Sequence, residues 1–486
     1  MQLDIGQIFP STAMPALILA AGALAVLVVE LAAPPGRRAG WVLGLTAAAL
    51  VLAGLAVAIG GSAVIVDPAS SAARLAQDGI GRLAYGIVLV AALVTLVISA
   101  PALDPGEPAA FSALLLLVTA GMGLLASATT LPVLFLGLEL LSLGLYVMVG
   151  YHRREPAARE GAFKYLLLGS VASGLLLFGM ALVFAATGEL ALEGIARGSV
   201  MPGAERLWLG GLVLVLVGIA FKLALAPLHL WAPDAYEGAG LGVTAFMSVA
   251  TKAAAFAALL RVALAAPEQA QRPLWLLAAL SMAVGSLGAL RQTELRRLMA
   301  YSGIANAGYL LIALPHMTRP GIEAALFYLG SYALINLGLF AAVALLQPVP
   351  ASRYPLHLLE GAVGRDPLAG WALVAFVLAL VGMPLTGGFV GKVLLVGTAV
   401  REGAQWLAFM LVASTAILAY PYLKLVERAV RRSPETAAPA SPAAGRGGRR
   451  RLLAVAVVAA AVTLVALGVW PEPLLGLARL AWVSLG

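Results

Sequence analysis

The chain has 486 residues, of which 62% are hydrophobic and only 11% charged, with a mean hydropathy of +0.98 and a net charge of +8. A soluble globular protein is about 45–50% apolar and about 25% charged, so too little polar surface remains to coat a water-soluble core. A soluble enzyme, a disordered chain and a nucleic-acid-binding domain are excluded, and the excess of 31 Lys and Arg over 23 Asp and Glu has to be read as membrane topology.

Apolar runs of about 18 residues or more recur from end to end, each long enough to cross a hydrocarbon layer of about 30 Å. They are continuous and rich in Ala, Leu and Gly, without the alternation of a transmembrane barrel, so helices must satisfy the backbone in lipid. The 53 glycines and 28 prolines suit packed transmembrane helices, where small residues let backbones approach. The pattern predicts an all-α polytopic membrane protein with fourteen spans, at about 13–33, 40–60, 82–100, 110–128, 131–150, 162–186, 207–230, 241–263, 273–290, 297–315, 320–346, 368–398, 404–426 and 452–470. The first span lacks a basic leader and closes at Glu30, which reads as a retained helix.

Nineteen Lys and Arg fall in the odd-numbered loops, and nine in the even loops and the C-terminal tail. The positive-inside rule therefore places the odd loops in the cytoplasm and both termini outside. Eight of the nineteen lie between Lys424 and Arg451. The segment RRSPETAAPASPAAGRGGRRR there has no apolar periodicity and reads as a flexible basic linker that sets topology, with docking to anionic lipid or a partner as the alternative.

Three lysines remain, each inside an apolar segment: Lys222 in GIAFKLALAP, Lys252 in SVATKAAAF and Lys392 in GGFVGKVLLV. Glu139 in LFLGLELLSLGLY is placed likewise. One charge at the bilayer centre costs about 2.5–3.5 kcal/mol, so four cost on the order of 10 kcal/mol. They should face the protein interior or a water-filled path. A carboxylate and three lysines suit a proton relay, because burial and a nearby carboxylate shift a lysine's proton affinity in opposite directions. The structural alternatives are an ion pair of Glu139 with a lysine that fixes helix register, and snorkelling of each lysine towards a helix end.

Two spans look broken. FKLALAPLHLWAPD puts Pro227 five residues after Lys222, and VGMPLTGGFVGK puts Pro384 and Gly387–Gly388 just before Lys392. Proline removes a backbone donor and glycine permits unwound turns, and interrupted helices at corresponding places in two halves mark ion sites in transporters. His229, at the cytoplasmic end of its span, reads either as a group that passes protons to water or as one bonded to a helix end. Asp234 and Glu237 read as caps or partner contacts, and Glu30 and Glu323, near helix ends, as solvated or capping groups. The chain has no cysteine, which excludes iron–sulfur ligation and disulfides within it. The four histidines, His152, His229, His316 and His357, fall near predicted helix ends without a facing pair, so haem is not expected and redox chemistry is assigned to other subunits.

Taken in order, these segments resemble the antiporter-like membrane subunits of respiratory complex I, the NADH–quinone oxidoreductase, and most closely the N type. The resemblance rests on LFLGLELLSLGLYVMVGY, GAFKYLLLGSVASGLLLFGMALVFAATGEL, AFKLALAPLHLWAPDAYEGA, RRLMAYSGIANAGYLL and LALVGMPLTGGFVGK, and runs from about residue 110 to 425. It implies fourteen helices with two inverted five-helix repeats, spans 4–8 and 9–13, in which spans 7 and 12 are broken. The implied units are a three-helix segment 1–109, repeats 110–265 and 266–426, the linker 427–451 and a final helix 452–486. It implies a proton relay of Glu139, Lys222, Lys252 and Lys392, driven by quinone reduction in a peripheral arm; His229, Pro227 and Pro384 are further relay or gate positions on the reading of the broken spans themselves. No cofactor is expected in this chain; NADH, FMN, iron–sulfur clusters and quinone would belong to other subunits. The implied neighbours are M- and K-type subunits in a bacterial inner membrane, surrounded by lipid, with no nucleic acid. Lys392 fits N- and L-type members, since the M type usually has glutamate there.

The chain departs from the family pattern at Gly144, where proline is frequent, at Gly240–Val243 after YEGA, and at Ala305 and Asn306, where serine and histidine are usual. Two rival functions share much of this pattern. One is a subunit of a multisubunit Mrp-type cation/proton antiporter, and the other is a non-pumping scaffold that completes the membrane arm.

Overall fold

The computed structural model describes residues 12–34, 36–60, 63–66, 73–103, 108–198, 200–266, 268–314, 317–346, 353–431 and 447–483. The chain opens with helices α1 (Met14–Ala32) and α2 (Arg38–Ile59), followed by a short antiparallel pair, β1 (Ala63–Val66) and β2 (Ala73–Gln77). Then come α3 (Gly79–Ser99), α4 (Pro108–Ser127), α5 (Leu131–Val149), α6 (Pro156–Thr187), the short α7 (Leu192–Arg197), α8 (Glu205–Lys222), α9 (Ala232–Gly238) and α10 (Leu241–Ala265). The second half holds α11 (Glu268–Ala289), α12 (Leu295–Leu311), α13 (Arg319–Leu346), the one-turn α14 (Ala362–Arg365), α15 (Pro367–Val381), α16 (Gly387–Arg401) and α17 (Gln405–Val430). Two helices close the chain, α18 (Gly447–Val469) and α19 (Glu472–Val483).

Ten of these helices are long and apolar enough to cross a membrane, and the apolar parts of α11 and α15 are shorter. Each of the fourteen predicted spans has a helical counterpart. The differences are local: the β1–β2 pair and the short helices α7, α9, α14 and α19 have no counterpart among the predicted spans. The seventh span also breaks earlier than its proline. Helix α8 stops at Lys222, and Ala224 takes a left-handed φ of 55°, so the break precedes Pro227. The twelfth span divides between α15 and α16, where Gly382 (φ 95°) and Leu385 (φ 68°) take left-handed backbone. His316 and linker residues 432–446 lie outside the described residues.

The bundle is built around α10 and α13. Along α10 only Leu264 is exposed. Its run TKAAAFAALL is mostly alanine, and small side chains let α3, α4 and α13 pack closely on all sides. By contrast α1, α2, α6 and α18 bury about a third of their apolar stretch or less, and present Leu, Val and Phe outward to lipid or neighbouring subunits.

Two pairings reveal an internal repeat. Before α5 and after α6, Leu131 N donates to Leu190 O and Leu192 N to Thr129 O, each at 2.9 Å. Before α12 and after α13, Leu295 N donates to Tyr354 O and Leu356 N to Thr293 O, again at 2.9 Å. The second set lies five spans after the first, as the break before α16 lies five spans after the break behind α8. Five is odd, so equivalent elements cross the membrane in opposite senses: the repeats are inverted.

Side-chain bonds between loops keep to one face. Loops of even number meet where Arg261 Nη2 pairs with Asp78 at 2.7 Å and Arg261 Nε donates to Ala126 O at 3.1 Å. Loops of odd number meet where Lys164 and Arg297 hold Asp234 at 2.7 and 2.5 Å. At the far end of the basic linker, Arg449 donates to Val97 O and Ile98 O at the C-terminus of α3, and Arg450 pairs with Asp366 at 2.6 Å. Cations at a helix C-terminus are favourable, because its last carbonyls lack intrahelical donors.

Candidate functional site

Lys222 is the last residue of α8 and is 2% exposed. Helices α6 and α8 cross where Gly179 and Gly211 face each other, so closely that a Cβ on either would stand 2.7–2.8 Å from the other's carbonyl oxygen. That approach brings the end of α8 under the aromatic side chains of α5 and α6. Lys222 Nζ lies 3.2 Å from the Tyr165 hydroxyl, and 4.7 and 5.1 Å from the ring centroids of Tyr165 and Tyr146. Tyr165 stacks on Trp231 at 4.1 Å, and Trp231 Nε1 donates to Phe221 O at 3.0 Å, beside the Ala224 N–H that bonds the same carbonyl at 3.0 Å. A desolvated cation over aromatic faces gains about 2 kcal/mol. The ammonium is thus held by neutral groups that let it gain or lose its proton without breaking an ion pair.

Glu139, half-buried on α5, accepts a hydrogen bond from the Ser173 hydroxyl of α6. Its field reaches Lys222 and Tyr146, yet it forms no ion pair with any described residue. The register-fixing ion pair considered for Glu139 is therefore not what the structure contains. Helix α5 carries the carboxylate and α8 the amine, close enough to interact and too far apart to neutralise each other.

Lys252 sits mid-way along α10, 2% exposed, with its ammonium against Gly303 of α12. Lys392, on the second turn of α16, folds its stem back against Gly382 and donates to Leu380 O at 2.6 Å and Val381 O at 3.2 Å. Those are the last carbonyls of α15, left without donors by the break and sitting at the negative end of the helix dipole. Its ammonium also lies 5.6 Å from the Tyr309 ring. Neither Lys222 nor Lys392 snorkels. Each is stabilised by the interruption of its own span.

His229 lies in the stretch between α8 and α9, with Nδ1 buried and unbonded among the described residues. Pro227 and Pro384 lie in the two breaks and are exposed. Ala226–Pro227 is cis. Asp234 and Glu237 are not free relay groups: Arg297 bonds both, and Lys164 also bonds Asp234. The buried tyrosines went unnoticed in the sequence, because a tyrosine at helical spacing in an apolar helix reads as core. Among the described residues no group of three or more His, Asp or Glu could hold a metal ion.

The Asp234 cluster supports a pH prediction. Burial pushes its carboxyl up, but hydrogen bonds from Lys164 and Arg297 outweigh this and hold it below its ordinary value of 3.8. A carboxyl lowered on folding contributes stability that is complete above the unfolded value and lost as pH falls through the folded one. Compared with Asp234→Asn, the native protein should show a thermal-stability advantage that is constant from about pH 5 to 8 and closes below about pH 4. An advantage that vanishes near neutral pH would contradict the assignment.

Comparison with known proteins bears on all of this. Residues 128–418 match a family model described as NADH:quinone oxidoreductase/Mrp antiporter, TM. A curated relative from Symbiobacterium thermophilum, named NADH-quinone oxidoreductase subunit N 1, is 40% identical over 482 residues, covering 96% of this chain and 97% of that one. A chain in the structure of respiratory complex I from Thermus thermophilus with bound aureothin is 37% identical, with a TM-score of 0.81, covering 96% of this chain and 99% of that one. A chain of the Mrp complex from Dietzia superposes with a TM-score of 0.81 at 24% identity, covering 97% of this chain and 96% of that one, a likeness of fold alone. With an inverted-repeat bundle, two broken spans and this relatedness over nearly its full length, the chain belongs to the antiporter-like membrane subunits of NADH-quinone oxidoreductase, in the subunit N family.

Proposed function

We propose that the chain is a proton-translocating subunit of the membrane arm of an NADH:quinone oxidoreductase, moving protons along Glu139, Lys222, Lys252 and Lys392 as quinone is reduced elsewhere. The observation that carries this reading is that Lys222 and Lys392 are held by a hydroxyl, aromatic faces and backbone carbonyls, that Lys252 is buried against Gly303, and that none of the three forms an ion pair with a described residue. A structural lysine buried in a membrane bundle is expected to pair with a carboxylate. A relay lysine needs neutral partners, so that its two protonation states are close in energy. His229 joins the path at the α8–α9 break, and the breaks near Pro227 and Pro384 act as its gates.

In this reading residues 110–265 and 266–426 are the two antiporter-like halves, 1–109 a preceding three-helix segment, 427–451 a basic cytoplasmic linker and 452–486 the closing helix. NADH, FMN, iron–sulfur clusters and quinone reside in other subunits, M- and K-type neighbours flank the chain, and the membrane is the bacterial inner membrane with both termini in the periplasm.

The Mrp-type reading is tested against this one in inverted membrane vesicles. NADH should drive proton uptake that is unchanged when sodium is replaced by choline, and a sodium gradient imposed without NADH should move no protons. Sodium-driven proton movement that depends on this chain would overturn the proposal.

A further inference from the structure

Between Lys252 and Lys392 lies a set of buried polar side chains outside the charged row. Lys252 Nζ would stand 3.1 Å from a Cβ on Gly303, and the Tyr332 hydroxyl 3.3 Å from the same point. One residue earlier on α12, Ser302 Oγ accepts from the Tyr422 hydroxyl of α17 at 2.5 Å and from Asn306 Nδ2 at 3.3 Å. Asn306 Nδ2 also donates to Ser302 O at 2.7 Å, while its Oδ1 accepts from the Tyr328 hydroxyl of α13. The Tyr328 ring packs 6.0 Å from that of Tyr309, over which the Lys392 ammonium sits. The Tyr309 hydroxyl in turn meets Ser414 and Thr415 at 3.0 and 3.2 Å.

Ser302, Asn306, Tyr309, Tyr328, Tyr332 and Tyr422 are all at most 3% exposed, and none is a carboxylate, imidazole or amine. A hydroxyl passes a proton on by accepting one and releasing another. A side-chain amide cannot, because its nitrogen only donates and its oxygen only accepts. Asn306 bonds Ser302 with its nitrogen and Tyr328 with its oxygen. It therefore stands between the bonded Ser302–Tyr422 pair, on the side of Lys252, and the Tyr328 hydroxyl, on the side of Lys392; the Tyr332 hydroxyl has no hydrogen-bond partner among the described residues, and Tyr328 meets Tyr309 through its ring.

We infer that Asn306 gates proton passage between Lys252 and Lys392, blocking the link between Ser302 and Tyr328 in this arrangement and opening it when the amide turns aside so that Tyr328 meets Ser302 directly or through one water, with water carrying the proton between these hydroxyls and the two lysines. In the completed step the Lys252 ammonium gives up one proton and becomes an amine. Ser302, Tyr328 and the waters between them and the lysines each take a proton and release the one they held, and the Lys392 amine takes the last and becomes an ammonium. No tyrosine or serine ends charged. The inference rests on the proton-translocation reading above.

The test uses the assembled complex in inverted vesicles, with passive proton leak measured without NADH and proton uptake measured with it. Asn306→Ser places a hydroxyl and room for water at the division, and should raise the passive leak severalfold. Asn306→Leu keeps the bulk but offers no polar atom, and should lose most driven uptake with no added leak. A native leak in Asn306→Ser, or native uptake in Asn306→Leu, overturns the gate, and either variant decides alone if the other fails to assemble. Lys252→Ala, run in parallel, separates the two claims. If it pumps as the native chain does, the translocation reading fails; if it stops pumping while both Asn306 variants behave as native, only the gate fails.

Discussion

Replacing Lys222 with alanine should leave a complex that assembles but whose NADH-driven proton uptake and coupled turnover fall together, by about tenfold or more. Assembly should survive because the scaffolding around the lysine does not depend on its charge. Tyr165 stacks on Trp231, Trp231 bonds Phe221 O, and Gly179 and Gly211 set the helix crossing, all without the ammonium. What alanine removes is the one titratable group at the end of α8 that the field of Glu139 reaches, and with it the first amine of the row. Uptake is measured in inverted vesicles against the amount of assembled complex. Normal uptake at normal assembly would make Lys222 structural and favour the scaffold reading.

The second large effect concerns stability. Asp78 caps α3 by accepting from Gly81 N at 2.8 Å, and pairs with Arg261 at 2.7 Å, with both side chains 6–7% exposed. Asp78→Ala removes the cap and leaves a buried guanidinium that still donates to the Ala126 carbonyl but has lost its carboxylate, a loss of about 3–5 kcal/mol. Arg261 lies nine residues, or about 13 Å, along α10 from Lys252, so the pair also fixes the depth and rotation of the helix that carries that lysine. Thermal release of the subunit from the detergent-solubilised complex should occur at clearly lower temperature in Asp78→Ala. The double variant Asp78→Ala, Arg261→Met should recover most of the loss, because no unpaired charge remains buried. Equal stability of native and Asp78→Ala chains would refute this account of the pair.

The spans and the buried charges were legible in the sequence because the bilayer imposes both: a run must be long to cross, and a charge inside one stands out against it. Subtracting the loop cations isolated Lys222, Lys252 and Lys392, and all three are at most 8% exposed. The breaks were legible only approximately. Gly387 and Gly388 do begin α16, but the turn at Ala224 carries no glycine or proline, so Lys222 looked mid-helix when it is terminal. The surroundings of each lysine were not legible at all. Tyr146, Tyr165 and Trp231 come from three elements, and only the folded chain brings them to Lys222. Asn306 was visible as a departure from a family pattern, while its bond to Tyr328 depends on how α12 packs against α13. Lys164, Asp234 and Arg297 are likewise separated by some 60 to 70 residues, beyond the reach of any local pattern.

In the proposed relay Lys222 gains and loses a proton and does more than fill space with a positive charge. Arginine distinguishes the two, because it keeps the charge and much of the bulk but does not release its proton in a protein. The decisive measurement is NADH-driven proton uptake by vesicles carrying Lys222→Arg, normalised to assembled complex. Uptake should fall as far as in Lys222→Ala. Uptake near the native level in Lys222→Arg would contradict it, since a fixed charge would then suffice.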